Sequence, residues 1–169
     1  MLDFGGQKAF YSLHSQYLTR NSVYLVVFNM QWLVGPTADE AAGLDGITKR
    51  VSCSNYLSFC LNSIHLHTKP KDRSAAPVLL VGTHRDCIGS PTEHEVISSM
   101  IHQKFKASPA FDSTIPFKQG TTSVGRGLLC FYPVNNTKSS TDPCIGSIKA
   151  AVQDCLKKEE YLKGNVPFP

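Results

Sequence analysis

The sequence predicts an α/β fold, a parallel sheet with helices on both faces, and three observations carry that prediction. Val78-Leu79-Leu80-Val81-Gly82 is a short run of apolar residues and Gly between Pro77 and a polar tetrad, which suits a strand buried on both faces. Val23-Tyr24-Leu25-Val26-Val27-Phe28 is a second run of the same kind, rich in β-branched residues. Segments of helical period separate and follow these runs, so helix and strand alternate along the chain. No internal repeat and no low-complexity linker divides it.

Taken in order, Lys8 to about Leu18 reads as a helix with Phe10, Leu13, Tyr17 and Leu18 on one face, and the strand from Val23 to Phe28 follows it. Gln31 to Gly46 carries Gly35, Pro36, Gly43 and Gly46, which is loop chemistry, with Trp32 expected to anchor it by packing. Ile47 to Leu66 has helical spacing through Ile47, Val51, Leu57, Cys60, Leu61 and Ile64. After the strand at Val78, Ser90-Pro91-Thr92-Glu93 is a capping box with Pro at the first helical position. It predicts a helix from Pro91 to about Phe105 that buries Ile97, Ile101 and Phe105. Ser108 to Gly127 is polar and Gly-rich. Leu128 to Val134 reads as the last strand, placed at an edge because Pro133 has no amide hydrogen to give. Asp142-Pro143 opens the final helix, with Ile145, Ile148, Val152 and Leu156 expected on its buried face and Gly164 stopping it.

The polar tetrad Thr83-His84-Arg85-Asp86 falls at the C-terminal end of a strand, the edge where open α/β sheets bind ligands. A carboxylate there can accept two hydrogen bonds from a flat heterocycle, and the His84 imidazole can cover one face of it. This chemistry suits a guanine base; a solvated turn is the competing reading. Near the start, Leu2-Asp3-Phe4-Gly5-Gly6-Gln7 reads as a strand end running into a loop. Asp3 is placed to hold a metal-bound water, the Gly6 amide to approach a phosphate oxygen, and Gln7 to orient an attacking water.

These residues carry a resemblance. Asp3-Phe4-Gly5-Gly6-Gln7 resembles the Asp-x-x-Gly-Gln switch II motif of Ras-like GTPases. With Phe10-Tyr11-x-x-His14 after it, it is similar to the Roc (Ras of complex proteins) domain of the ROCO family. Val81-Gly82-Thr83-His84-Arg85-Asp86 resembles the Thr-His-x-Asp guanine motif of Roc domains, where most GTPases have Asn-Lys-x-Asp. Val134-Asn135-Asn136-Thr137 stands where the family places its third base-contacting loop, in a form that departs from the usual Ser-Ala-Lys.

The resemblance implies a partial Ras-like P-loop GTPase fold. Residues 1–164 would be a Roc domain from switch II onward, and 165–169, including Val166-Pro167-Phe168-Pro169, would begin the segment leading to a COR domain. A first strand, a Gly-x-x-x-x-Gly-Lys-Ser/Thr loop, a helix and switch I would then lie before Met1. Gly120-Thr121-Thr122-Ser123-Val124-Gly125-Arg126-Gly127 mimics such a loop. Arg126 replaces the required Lys, however, Gly127 replaces the magnesium-holding Ser or Thr, and a strand is expected next.

By the same resemblance, Asp86 accepts two hydrogen bonds from guanine, Thr83 ties its loop to its neighbours, and His84 lies over the base. Asn136 and Thr137 back the base. Asp3 serves magnesium through a water, Gly6 the γ-phosphate, and Gln7, the catalytic residue, the attacking water. The expected cofactors are GTP or GDP with magnesium in the complete domain, and none for this chain alone. The expected partners are a COR domain and a second Roc–COR protomer. A nucleotide-free, Roc-like module for interaction or dimerisation is the alternative. A different kind of α/β enzyme would need a nucleophile and base that the sequence does not offer.

Composition is compatible with this picture and narrows it little. The chain has 169 residues, 41% hydrophobic and 18% charged, enough for one domain with a core. A net charge of +4 is mild. Lys69, Lys71 and Arg73 cluster without aromatic residues or a long basic stripe, so a solvated loop is favoured over a nucleic-acid site. No apolar run approaches the length of a membrane span and no signal peptide opens the chain, which makes the cytoplasm the default. Cys53, Cys60, Cys87, Cys130, Cys144 and Cys155 are scattered as reduced, packed thiols would be, and His65-x-His67 lacks a third metal ligand nearby.

Overall fold

A computed structural model describes residues 18–34, 44–69, 75–118 and 128–158. Residues 8–17 of the expected first helix, Asp3 to Gln7, the Gly120 to Gly127 loop, Gly164 and residues 165–169 lie outside them. The described residues form an α/β unit with strands β1 (Tyr24–Asn29), β2 (Val78–Thr83) and β5 (Tyr132–Pro133) in one parallel sheet, ordered β1-β2-β5. A second, antiparallel pair joins β3 (Phe117–Lys118) to β4 (Leu128–Leu129). The helices are α1 (Gln31–Val34), α2 (Leu44–Thr68), α3 (Pro91–Phe105) and α4 (Pro143–Lys158). Among the described residues, no helix is long and apolar enough to cross a membrane.

Strand β2 is the centre, and all six of its residues are buried. Because strand side chains alternate between faces, β2 feeds two cores. Val78 and Leu80 pack with Val26 and Phe28 of β1, with Cys53, Leu57, Leu61 and Ile64 of α2, and with Ile97, Ile101 and Phe105 of α3. Leu79 and Val81 face the other way, onto Tyr132, Val134 and the α4 residues Cys144 and Ile148. Helices therefore cover both faces, as a strand that is apolar on both sides requires. Gly82 ends the run because nothing larger fits: a Cβ there would stand 2.6 Å from Met30 Cγ and 2.9 Å from Phe131 Cδ2.

The helix from Pro91 to Phe105 is found as expected, with Glu93 Oε2 accepting the Ser90 N–H at 3.3 Å and Ile97, Ile101 and Phe105 buried. His94 and Ser98 are buried on the same face. Helix α2 extends the expected span at both ends. Its buried stripe runs through Cys53, Leu57, Leu61, Ile64 and Thr68, and the Thr68 hydroxyl donates to the Ile64 carbonyl (2.6 Å) and accepts from the Ala76 amide (3.0 Å).

Five expectations are corrected. The segment after β1 is not all loop: Gln31–Val34 forms one helical turn, started by the Gln31 N–H donating to Asn29 Oδ1 at 2.9 Å. Its anchors are Met30 and Leu33, while Trp32 is 42% exposed. The stretch from Ser108 is more ordered than its composition suggests, with a 3₁₀ turn at Phe111–Ser113 and strand β3, whose Phe117 packs on Tyr132 with ring centroids 5.1 Å apart. The last strand is two strands in different sheets, because α3 pulls the chain out of the ladder between them. There the Cys130 N–H donates to Ser98 Oγ (3.0 Å), and Phe131 turns fully inward against Phe28. Helix α4 is rolled about its axis so that Cys144, Ile148 and Cys155 are buried, leaving Ile145, Val152 and Leu156 partly covered.

Candidate functional site

The C-terminal ends of β1, β2 and β5 come to one edge of the sheet, and the loops leaving β2 and β5 lie side by side there. At the end of β2, Thr83 is 8% exposed and donates its hydroxyl hydrogen to the Phe28 carbonyl of β1 (3.1 Å). Its oxygen lies 2.9 Å from His84 Nδ1. The hydroxyl has one hydrogen and a carbonyl can only accept, so His84 Nδ1 carries the hydrogen between them. In the neutral ring, Nε2 is then the acceptor. His84 has φ 66°, a left-handed conformation that side chains rarely adopt. This turns the chain sharply off the strand, and the His84 carbonyl accepts the amides of Cys87 (3.1 Å) and Ile88 (3.2 Å).

The turn leaves Asp86 exposed, with the Cys87 thiol donating to its Oδ2 at 3.6 Å. Beneath it, His94 of α3 is 2% exposed, its Nε2 lies 2.7 Å from the Ile88 carbonyl, and its ring meets Phe131 edge-on. Burial holds the His94 pKa below its usual value, against the opposing effect of the Ile88 hydrogen bond.

The loop after β5 is built on Asn135 and Asp142. Asn135 Oδ1 accepts both the amide (2.9 Å) and the hydroxyl (2.7 Å) of Thr137, which closes a tight turn into the 3₁₀ segment Asn136–Thr141. The two loops are tied together: the Arg85 N–H donates to the Val134 carbonyl (3.2 Å), and Arg85 Nη1 reaches Asp142 Oδ1 (3.4 Å) and Cys144 Sγ (3.6 Å). Burial pushes the Cys144 thiol pKa up, with Arg85 opposing that shift and Asp142 adding to it.

Two cavities open along this edge. One, of about 290 Å³, is polar and lined by Arg85, Asp86, Asn135, Lys138, Asp142 and Pro143. The other, of about 250 Å³, is mostly apolar and lined by residues including Phe28, Trp32, Cys53, Tyr56 and Thr83. Of the residues singled out from sequence, Asp86 lines the polar cavity, Thr83 lines the apolar one, and His84 stands between them in the chain. Asn136 and Thr137 are exposed beside Asn135, which is itself 8% exposed and forms the wall. Asp3, Gly6 and Gln7 lie outside the described residues. Asn135, Lys138 and Asp142 are the cavity residues that sequence reasoning missed as site residues. Asp142-Pro143 was visible only as a helix start.

All six cysteines are free thiols, and among the described residues no group of three or more His, Cys, Asp or Glu converges as a metal site. No family model matches the chain, and no solved structure matches it. Over 103 residues, 61% of its length, the chain is 32% identical to the Dictyostelium discoideum protein named "Probable serine/threonine-protein kinase roco5". It spans 3% of that protein. The chain is thus an α/β unit with distant, partial similarity to a ROCO protein.

Proposed function

We propose that this chain supplies the guanine-recognition half of a Roc-type GTPase domain in a longer ROCO-type protein, and that the complete domain binds GTP and GDP and hydrolyses GTP. The observation that carries the reading is Asp86: an exposed carboxylate just past the C-terminal end of the central strand, on the wall of a polar cavity shared with Asn135 and Lys138. The partial likeness to a protein named roco5 supports it. Asp86 accepts the paired N–H groups of guanine, which adenine cannot offer. His84 covers the base, Thr83 braces the turn against β1, and Asn136 and Thr137 back the base on the far loop.

Asp3, Gly6 and Gln7 are the residues that would serve magnesium through its water, the γ-phosphate and the attacking water. Magnesium, when bound, neutralises charge on the phosphates. On this reading the partners are a COR domain and a second Roc–COR protomer, and the compartment is the cytoplasm. A second reading, a nucleotide-free module for interaction or dimerisation, is favoured by the apolar residues Leu25 (45% exposed) and Val27 (49% exposed) along β1.

Asp86→Asn in the complete domain tests the first reading, because the amide puts a donor where two acceptors are needed. Discrimination between GTP and ATP should fall, and discrimination unchanged in a filter-binding assay would sink the assignment. A Gly-x-x-x-x-Gly-Lys-Ser/Thr sequence in the transcript upstream of Met1 favours the first reading over the second.

A further inference from the structure

Asp142 carries more hydrogen bonds than its place at a helix start requires. Its carboxylate is 2% exposed at the residue level, and Oδ1 accepts the Cys144 N–H at 2.8 Å, an ordinary N-cap above Pro143. A Ser or Asn would cap as well. The second oxygen does something else: Oδ2 accepts the Asn135 N–H at 2.6 Å, across the 3₁₀ segment. Oδ1 also faces the Arg85 guanidinium at 3.4 Å, from the loop that carries Asp86. Only an acceptor with two oxygens and no hydrogen of its own satisfies three donors from three directions. A buried carboxylate is tolerated because its donors are in place, and such a saturated network is stiff.

The two walls of the polar cavity meet at this group. Asn135 is fixed twice, through its amide by Asp142 and through its side chain by Thr137. Arg85 is also fixed twice, through its amide by Val134 and through its guanidinium by Asp142, and the next residue is Asp86. We infer that Asp142 is a positioning residue that holds the Asp86 wall and the Asn135 wall of the nucleobase cavity at a set separation, acting through Arg85 and Asn135. This inference rests on the guanine reading above. It adds a determinant of base specificity that does not touch the base.

The test is a titration of the full 169-residue chain with GMP, IMP and AMP at millimolar concentration, followed by amide chemical shifts. IMP lacks the exocyclic amine that Asp86 reads, so the GMP-to-IMP ratio reports the placement of Asp86, and a purely structural cap would not move it. Asp142→Ser keeps an acceptor for the Cys144 amide but is too short to reach Asn135 and Arg85. It should weaken GMP about tenfold, the effect of losing one hydrogen bond to a charged acceptor, and bring the ratio close to one. Arg85→Met, at a side chain 37% exposed, should lower the ratio while the fold is kept. A ratio unchanged in Asp142→Ser overturns the inference and leaves the guanine reading standing. If Asp142→Ser does not fold, Arg85→Met decides by the same criterion. A wild-type chain that binds all three nucleotides with equal affinity removes the guanine reading and this inference with it.

Discussion

His84 Nδ1 donates to Thr83 Oγ1 across 2.9 Å while the backbone of His84 sits at φ 66°, so the imidazole is pinned at a place where the chain is strained. The two effects separate by substitution. His84→Ala keeps the strain and loses the hydrogen bond. His84→Gly loses the bond as well, but glycine occupies the left-handed region without penalty. The Gly variant should be the more stable of the two by about 1 kcal/mol in urea denaturation. An Ala variant equal to or better than Gly would show that the left-handed turn is not there.

Acid should weaken the fold through His94. Its pKa in the folded chain is lowered, mainly by burial, from an unfolded value of about 6.5. Below that value the unfolded chain binds a proton that the folded chain refuses, so stability is full above about pH 6.5 and falls as pH drops toward the folded pKa. Arg85 adds to the lowering and Glu93 opposes it. His94→Gln places an amide near the Ile88 carbonyl without a titrating ring, and its stability should change less than wild type between about pH 7 and 5. Parallel curves for the two proteins in urea melts at each pH would exclude this role.

GTP should bind this chain only at millimolar concentration or more weakly. Most of the grip on a nucleoside triphosphate comes from a glycine-rich loop, its Lys and the magnesium held by its Ser or Thr. At Gly120 to Gly127 the chain has Arg126 and Gly127 in those two places. On the guanine reading proposed above, two hydrogen bonds to Asp86, at about 1.5–3 kcal/mol each, are worth roughly 3–6 kcal/mol before the cost of association, and 1 mM already requires about 4.1 kcal/mol. Calorimetry with GTP and magnesium measures it, and a micromolar constant would mean that a phosphate cradle exists in the chain.

Strand β1 should drive self-association. Among the described residues it is an edge strand of the parallel sheet, with Leu25 and Val27 on one face 45% and 49% exposed. On the Roc reading proposed above, a further strand would lie beside it. Flat apolar edges pair with other chains, and a charge placed on them prevents it. Light scattering should give a mass above one chain that rises with concentration, and Leu25→Lys with Val27→Lys should return it toward the monomer. A wild-type chain that stays monomeric at high concentration would contradict this.

Elements with local patterning are legible in the chain before it folds. A strand buried on both faces must be apolar at consecutive positions, so Val78 to Val81 was legible, and so was the start of α3 from Ser90, Pro91 and Glu93. The same stretch pointed to Thr83, His84 and Asp86, because a polar tetrad ending such a strand lies on the ligand edge of a parallel sheet. The other cavity wall was legible only as the loop Val134-Asn135-Asn136-Thr137; that Asn135 lines it together with Lys138 and Asp142 follows from tertiary contacts. Asn135, Lys138 and Asp142 are joined across a 3₁₀ segment with no repeating period, and Arg85 meets Asp142 from 57 residues away. The split between β4 and β5 depends on Ser98 of α3 capturing the Cys130 amide, a contact between distant parts of the chain. The roll of α4 onto Cys144 and Cys155 likewise follows from what the sheet offers it. Local pattern sets which residues must leave water; which of them then meet is set by packing.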